Sequence, residues 1–150
     1  MNEPRWALLT IWGVVNAVNL LQTAGFLSRR RWGMSVNHTL GYAIAALAVP
    51  GTVALVAFWQ AGADPLLLLG PLVFDAFVVL LLAVEYVRPV EFRNPRRPGI
   101  LVPYLVLFFG SIVLMGLPMY WIDRRLWAVT AATSLALVGS MLWAMRHGVG

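Results

Sequence analysis

The run "RWALLTIWGVVNAVNLLQTAGFL", residues 5–27, decides the fold. Its 23 residues carry one charge, Arg5 at the edge. At helical rise such a run extends about 34 Å, enough to cross a ~30 Å hydrocarbon core. Four more apolar runs follow, at residues 38–60, 66–87, 100–122 and 126–145. The breaks between them are "SRRRWGMSVN", "AGADP", "RPVEFRNPRRPG" and "DRR". The second and fourth breaks are tight turns, so they join antiparallel neighbours. The expected fold is all-α: one domain over residues 1–150, an integral membrane bundle of five transmembrane helices.

Composition agrees. Hydrophobic residues make up 61% of the chain, charged residues 11%, and mean hydropathy is +0.80. A soluble domain of this size has too much surface to cover with so few charges. Without cysteine there is no disulfide, thiol nucleophile or thiolate metal site. All eleven basic residues are arginine. In an apolar chain, basic loops mark the cytoplasmic side and anionic lipid headgroups rather than nucleic acid. The first run has a weak basic n-region and a poor cleavage site, so it reads as a retained helix.

Arg29, Arg30, Arg31, Arg88, Arg93, Arg96, Arg97 and Arg146 fall on one side of the expected bundle, and Arg5, Arg124 and Arg125 on the other. The positive-inside rule then puts the N-terminus outside and the C-terminus in the cytoplasm, in a bacterial or archaeal cytoplasmic membrane. Trp6, Trp59, Tyr120, Trp121 and Trp127 would form the outer aromatic belt, and Trp32, Tyr42, Tyr86, Tyr104 and Trp143 the inner one. On the fifth run Ala128, Ala132, Ala136, Ser140 and Ala144 recur every four residues. Such a ribbon lets another backbone approach closely. It is expected to pack within the chain; the alternative is a homodimer or membrane-complex partner.

Polar groups inside the spans are few and costly. Counting from the outer ends places Asn16 about 16 Å deep and Asp75 about 13 Å deep. Pro50 lies about 18 Å from the cytoplasmic end, so three unusual groups share the bilayer centre. Gln22 and Glu85 share the cytoplasmic end. By helical phase Trp12, Asn16, Asn19 and Thr23 form one stripe, flanked by Gln22. Asp75, Val79, Leu82 and Tyr86 share a face of the third run. The first and third helices are therefore expected to turn these stripes toward each other. Pro50 frees the carbonyl of Ala46, to which Asn16 or Asn19 could donate.

The expected ligand pocket lies between the first three helices. It is lined by Asn16, Asn19, Gln22, Asp75, Glu85 and Tyr86, with Arg88 meeting a polar head. Arg29, Arg30, Arg31, Arg93, Arg96 and Arg97 form a cationic rim suited to phosphate or carboxylate. Binding of an amphipathic or lipid-like molecule is the leading expectation, with anionic lipids as partners. An accessory subunit with purely structural polar contacts is the alternative. A lipid-modifying enzyme and a small proton-coupled transporter stand behind it.

Standard catalytic constellations are absent. Asp75 and Glu85 are about 15 Å apart along one helix, too far for a carboxyl dyad. His38 and His147 lie at helix ends, away from any serine–base pair or haem site within the bundle. No metal cluster, phosphate loop or cofactor is expected. Glu85 is the best catalytic candidate should the protein be an enzyme. In span number and its seven tryptophans the chain resembles the tryptophan-rich translocator family. That family's Pro-x-Trp-x-Pro-Pro motif is absent, so the resemblance ends at size and implies no site residue.

Overall fold

The computed structural model describes residues 3–93 and 95–148, which contain helices and no strand. Five helices are long and apolar enough to cross a membrane: α1 (Arg5–Trp32), α2 (Ser35–Gln60), α3 (Pro65–Val87), α4 (Pro98–Ile122) and α5 (Arg124–Arg146). The helices begin and end within a few residues of the apolar runs, with one informative difference. Arg29, Arg30 and Arg31 belong to the last turn of α1, not to the first loop. Cations there face the orphan carbonyls at the negative end of the helix dipole. Gly33, at φ 62°, ends the helix in a conformation that costs glycine no Cβ clash.

Side-chain caps explain the two tight turns. Asp64 accepts from the Leu66 N–H at 2.8 Å, with Pro65 opening α3. Asp123 accepts from the Arg125 N–H at 2.8 Å and opens α5. Each satisfies a donor that the first helical turn leaves unpaired. Three spans are irregular. The α2 helix is interrupted at Leu47, one turn before Pro50, which has no N–H to return. The α3 helix widens into a π-turn over Ala83–Val87. The α4 helix breaks at Leu117–Pro118 and resumes over Met119–Ile122.

Packing places α1 at the centre, against α2, α4 and α5, while α3 packs on α2 and α4. Ile11, Val15 and Val18 of α1 meet an aromatic core that includes Phe58, Phe74, Phe77 and Phe108. Backbones of α3 and α4 approach most closely at Gly70. A Cβ there would lie 2.9 Å from the Leu114 carbonyl carbon and the Met115 nitrogen. The outer surface is equally apolar: Val79 is 69% and Leu135 73% exposed. Helices apolar all round suit hydrocarbon as the solvent. The antiparallel succession gathers Arg29–Arg31, Arg88, Arg93, Arg96, Arg97 and Arg146 at one end, hereafter the basic end.

The ribbon on α5 packs within the chain only in part. Ala128, Ala132 and Ala136 are exposed, whereas Ser140 and Ala144 are buried. A four-residue spacing drifts about 40° per step around a helix. The ribbon therefore starts on the outer face and reaches the inner one only at its end.

Candidate functional site

The stripe on α1 faces α5, not α3. The Trp12 indole N–H donates to the Leu126 carbonyl at 2.9 Å. The Asn16 amide donates to Thr130 Oγ1 at 3.1 Å, and Thr133 donates to Asn16 Oδ1 at 2.7 Å. The Asn19 amide donates to Thr133 Oγ1 and Ser134 Oγ, both at 3.0 Å. Asn16 and Asn19 are thus engaged with α5 hydroxyls, and the expected donation to the Ala46 carbonyl does not form. The signal for this pairing was present in the sequence as hydroxyls at 130, 133 and 134, which share one face of α5.

Asp75 meets a different neighbour. Its Oδ2 lies 2.9 Å from Thr52 Oγ1 on α2. Asn16 and Asp75, at similar depth by residue counting, therefore do not share a pocket. Depth is a single coordinate, and it does not say which helix face points where.

At the basic end the π-turn contains Glu85 and Tyr86. Consecutive helical residues point about 100° apart, so the two side chains reach different neighbours. The Tyr86 hydroxyl donates to the His38 carbonyl at 2.5 Å and its ring packs on His38 and Tyr42, against Gly41. Glu85 turns to the other side. Its Oε1 pairs with Arg93 Nη2 at 2.5 Å and accepts from the Tyr104 hydroxyl at 2.8 Å. The Arg93 guanidinium also lies over the Phe92 ring at 4.4 Å. Burial alone would lower the Arg93 pKa. The charge and hydrogen bond of Glu85 outweigh burial and hold the guanidinium above its ordinary value.

Beside this group a cleft of about 550 Å³ opens between α1, α4 and α5. Arg29, Arg93, Arg96, Gln22 and Tyr104 supply polar side chains to its lining. Its apolar wall includes Phe26, Leu105, Phe108, Phe109, Met141 and Met145. The cleft exists because α4 and α5 are tight only near their connecting turn. There a Cβ on Gly116 would stand 3.0 Å from Thr130 Cγ2. Toward the basic end, long side chains line the gap instead.

Arg29 is the most constrained of the three cations. It is 9% exposed and its guanidinium lies 4.3 Å over the Phe26 ring. With the Asn37 amide oriented to donate to the Gly25 carbonyl at 2.7 Å, the Asn37 oxygen accepts from Arg29 Nε at 3.2 Å and Nη2 at 2.9 Å. Among the described residues no carboxylate lies within ion-pair distance of Arg29, and Glu85 pairs with Arg93 instead. Stacking and the Asn37 contact fix the plane of the Arg29 guanidinium.

Of the expected site residues, the cleft therefore gathers Gln22, Arg29, Arg93 and Arg96, with Glu85 one bond behind. Arg30, Arg31, Arg88 and Arg97 are exposed and do not line it. Phe26 and Asn37 enter as residues that sequence patterns did not single out, and Tyr104, expected only in the inner aromatic belt, enters as a partner of Glu85. The roles of Asn37 and Tyr104 depend on contacts across helices. No family model, curated protein or solved structure matches this chain.

Proposed function

We propose that the protein is integral to a bacterial or archaeal cytoplasmic membrane, N-terminus outside, and binds an anionic amphipathic molecule in the cleft between α1, α4 and α5. The observation that carries this reading is Arg29, a nearly buried cation with no carboxylate at ion-pair distance among the described residues, beside an apolar-walled cavity. A buried charge is costly unless it is paired. A phosphate or carboxylate at the mouth would accept from Arg29 and Arg96, while its hydrocarbon lay along Phe108, Phe109, Met141 and Met145. Orientation follows from the positive-inside bias, eight arginines against three.

Native mass spectrometry of the protein, purified in mild detergent from a membrane containing phosphatidylglycerol, tests this. Wild type is expected to retain a bound anionic lipid. Arg29→Gln should weaken retention about 10- to 100-fold, the scale of a lost hydrogen bond to a charge. Met141→Trp, which fills the cavity and leaves every arginine in place, should also lose it. Equal retention by both variants would overturn the reading. A second reading, an accessory subunit, is favoured by the uncovered Ala128, Ala132 and Ala136 on α5. The chain has no native cysteine. A single Ala132→Cys should then cross-link in native membranes, and a monomer alone would count against it.

A further inference from the structure

We propose that Asp75 is an intramembrane proton-binding site, separate from the cleft, that holds a neutral carboxylic acid between α2 and α3 at neutral pH. The argument rests on counting donors. Thr52 Oγ1 lies 2.8 Å from the Ala48 carbonyl and 2.9 Å from Asp75 Oδ2. A hydroxyl has one proton and can donate to only one of these oxygens. If Thr52 donates to Ala48, the contact with Asp75 requires a second proton, and it belongs on the carboxyl. The chain then reads Asp75 O–H to Thr52 Oγ1, and Thr52 O–H to the Ala48 carbonyl, with both contacts satisfied.

The other carboxyl oxygen points the same way. Asp75 Oδ1 is buried and has no hydrogen-bond partner among the described residues. The carbonyl oxygen of a neutral acid tolerates that position far better than half of a full negative charge. Among the described residues no cation pairs with Asp75. The ionisable groups on the elements packed against α3 are His38 and Tyr42 at the basic end of α2, and Tyr104 and Tyr120 near the two ends of α4. On α3 itself the nearest are Glu85 and Tyr86, about 15 Å along the helix. Beside Asp75, Phe74 is fully buried, and the nearby exposed residues Val53 and Leu72 are apolar. An ionised carboxylate here would hold at most one hydrogen bond, at a depth where an aspartate costs about 2.5–3.5 kcal/mol even on insertion scales. The ligand this site suits is a proton, and it owes nothing to the lipid reading of the cleft.

The chain contains three aspartates, Asp64, Asp75 and Asp123. Carbon-13 NMR of protein labelled at the aspartate carboxyl and reconstituted in liposomes reads all three. The Asp75 signal should keep the protonated shift from about pH 5 to about pH 8. Asp75→Asn should remove it. Should that variant not fold, Asp64→Asn and Asp123→Asn, which preserve cap chemistry, identify it by elimination. Thr52→Val should move this signal and neither of the others. Three signals ionising together below about pH 5 would overturn the proposal. So would a shift on exchanging choline for sodium, which would make the site one for a metal cation.

Discussion

The contact between α1 and α5 invites a quantitative test, because a polar seam holds it. Five hydrogen bonds cross it: one from Trp12, and four that Asn16 and Asn19 make with Thr130, Thr133 and Ser134. Interhelical hydrogen bonds inside a bilayer average about 0.6 kcal/mol, with a maximum near 1.7. The seam is therefore worth about 3 kcal/mol in total. Asn19 is fully buried and contributes two of the five bonds. Asn19→Ala should cost about 1.2 kcal/mol in lost bonds, plus a cavity contribution of similar size. The pairwise part can be isolated. Thr133 accepts from Asn19 and donates to Asn16, so it links the two carboxamides. A double-mutant cycle of Asn16→Ala with Thr133→Ala should return a coupling of about 0.6 to 1.7 kcal/mol. Reversible unfolding in mixed micelles, followed by tryptophan fluorescence, measures it. Coupling near zero, with each single change within about 0.3 kcal/mol of wild type, would refute the seam as the element that holds α5.

Other expectations are narrower. Gly70→Ala should destabilise by about 1–3 kcal/mol, because its new Cβ meets backbone atoms that cannot swing aside; an unchanged melting temperature would contradict the α3–α4 approach. Glu85→Gln removes the ion-pair partner of Arg93 and leaves it only the smaller influence of Glu91. The Arg93 side chain is 32% exposed, so the cost should be about 1–2 kcal/mol, below that of a fully buried pair. Adding Arg93→Gln should recover part of it, and no recovery would mean that the pair is not the cause. The raised Arg93 pKa has a pH consequence. A raised basic group stabilises at all pH values below its ordinary value, and that contribution is lost only as pH rises through the higher folded value. The stability gap between wild type and Arg93→Gln should therefore show no loss between about pH 7 and about pH 9; a decline there would contradict the assignment. Gly41→Ala should displace the Tyr86 hydroxyl from the His38 carbonyl, since the new methyl would collide with it. Tyr86→Phe added to Gly41→Ala should then be more stable than Gly41→Ala alone in the same melt.

Residue order alone determined the number of membrane-length helices, their approximate limits, the two tight turns, and the collection of arginine at alternate connections. These follow from local quantities: hydropathy summed over a window, a proline or aspartate at a fixed offset, and the count of charges between runs. Each residue contributes without reference to distant ones. Tertiary structure decided which polar groups met. Asn16 and Asp75 share a depth, yet one bonds to α5 and the other to α2, because rotation about each helix axis depends on all its neighbours at once. The π-turn at Ala83–Val87 shows the same limit. Its wider turn departs from a fixed 100° phase, and only the packed neighbours gave Glu85 the partner Arg93 and Tyr86 the partner His38. The cleft is further still from local reading, since it is the space left where α4 and α5 part. A void belongs to no residue, and only the packing of whole helices creates it.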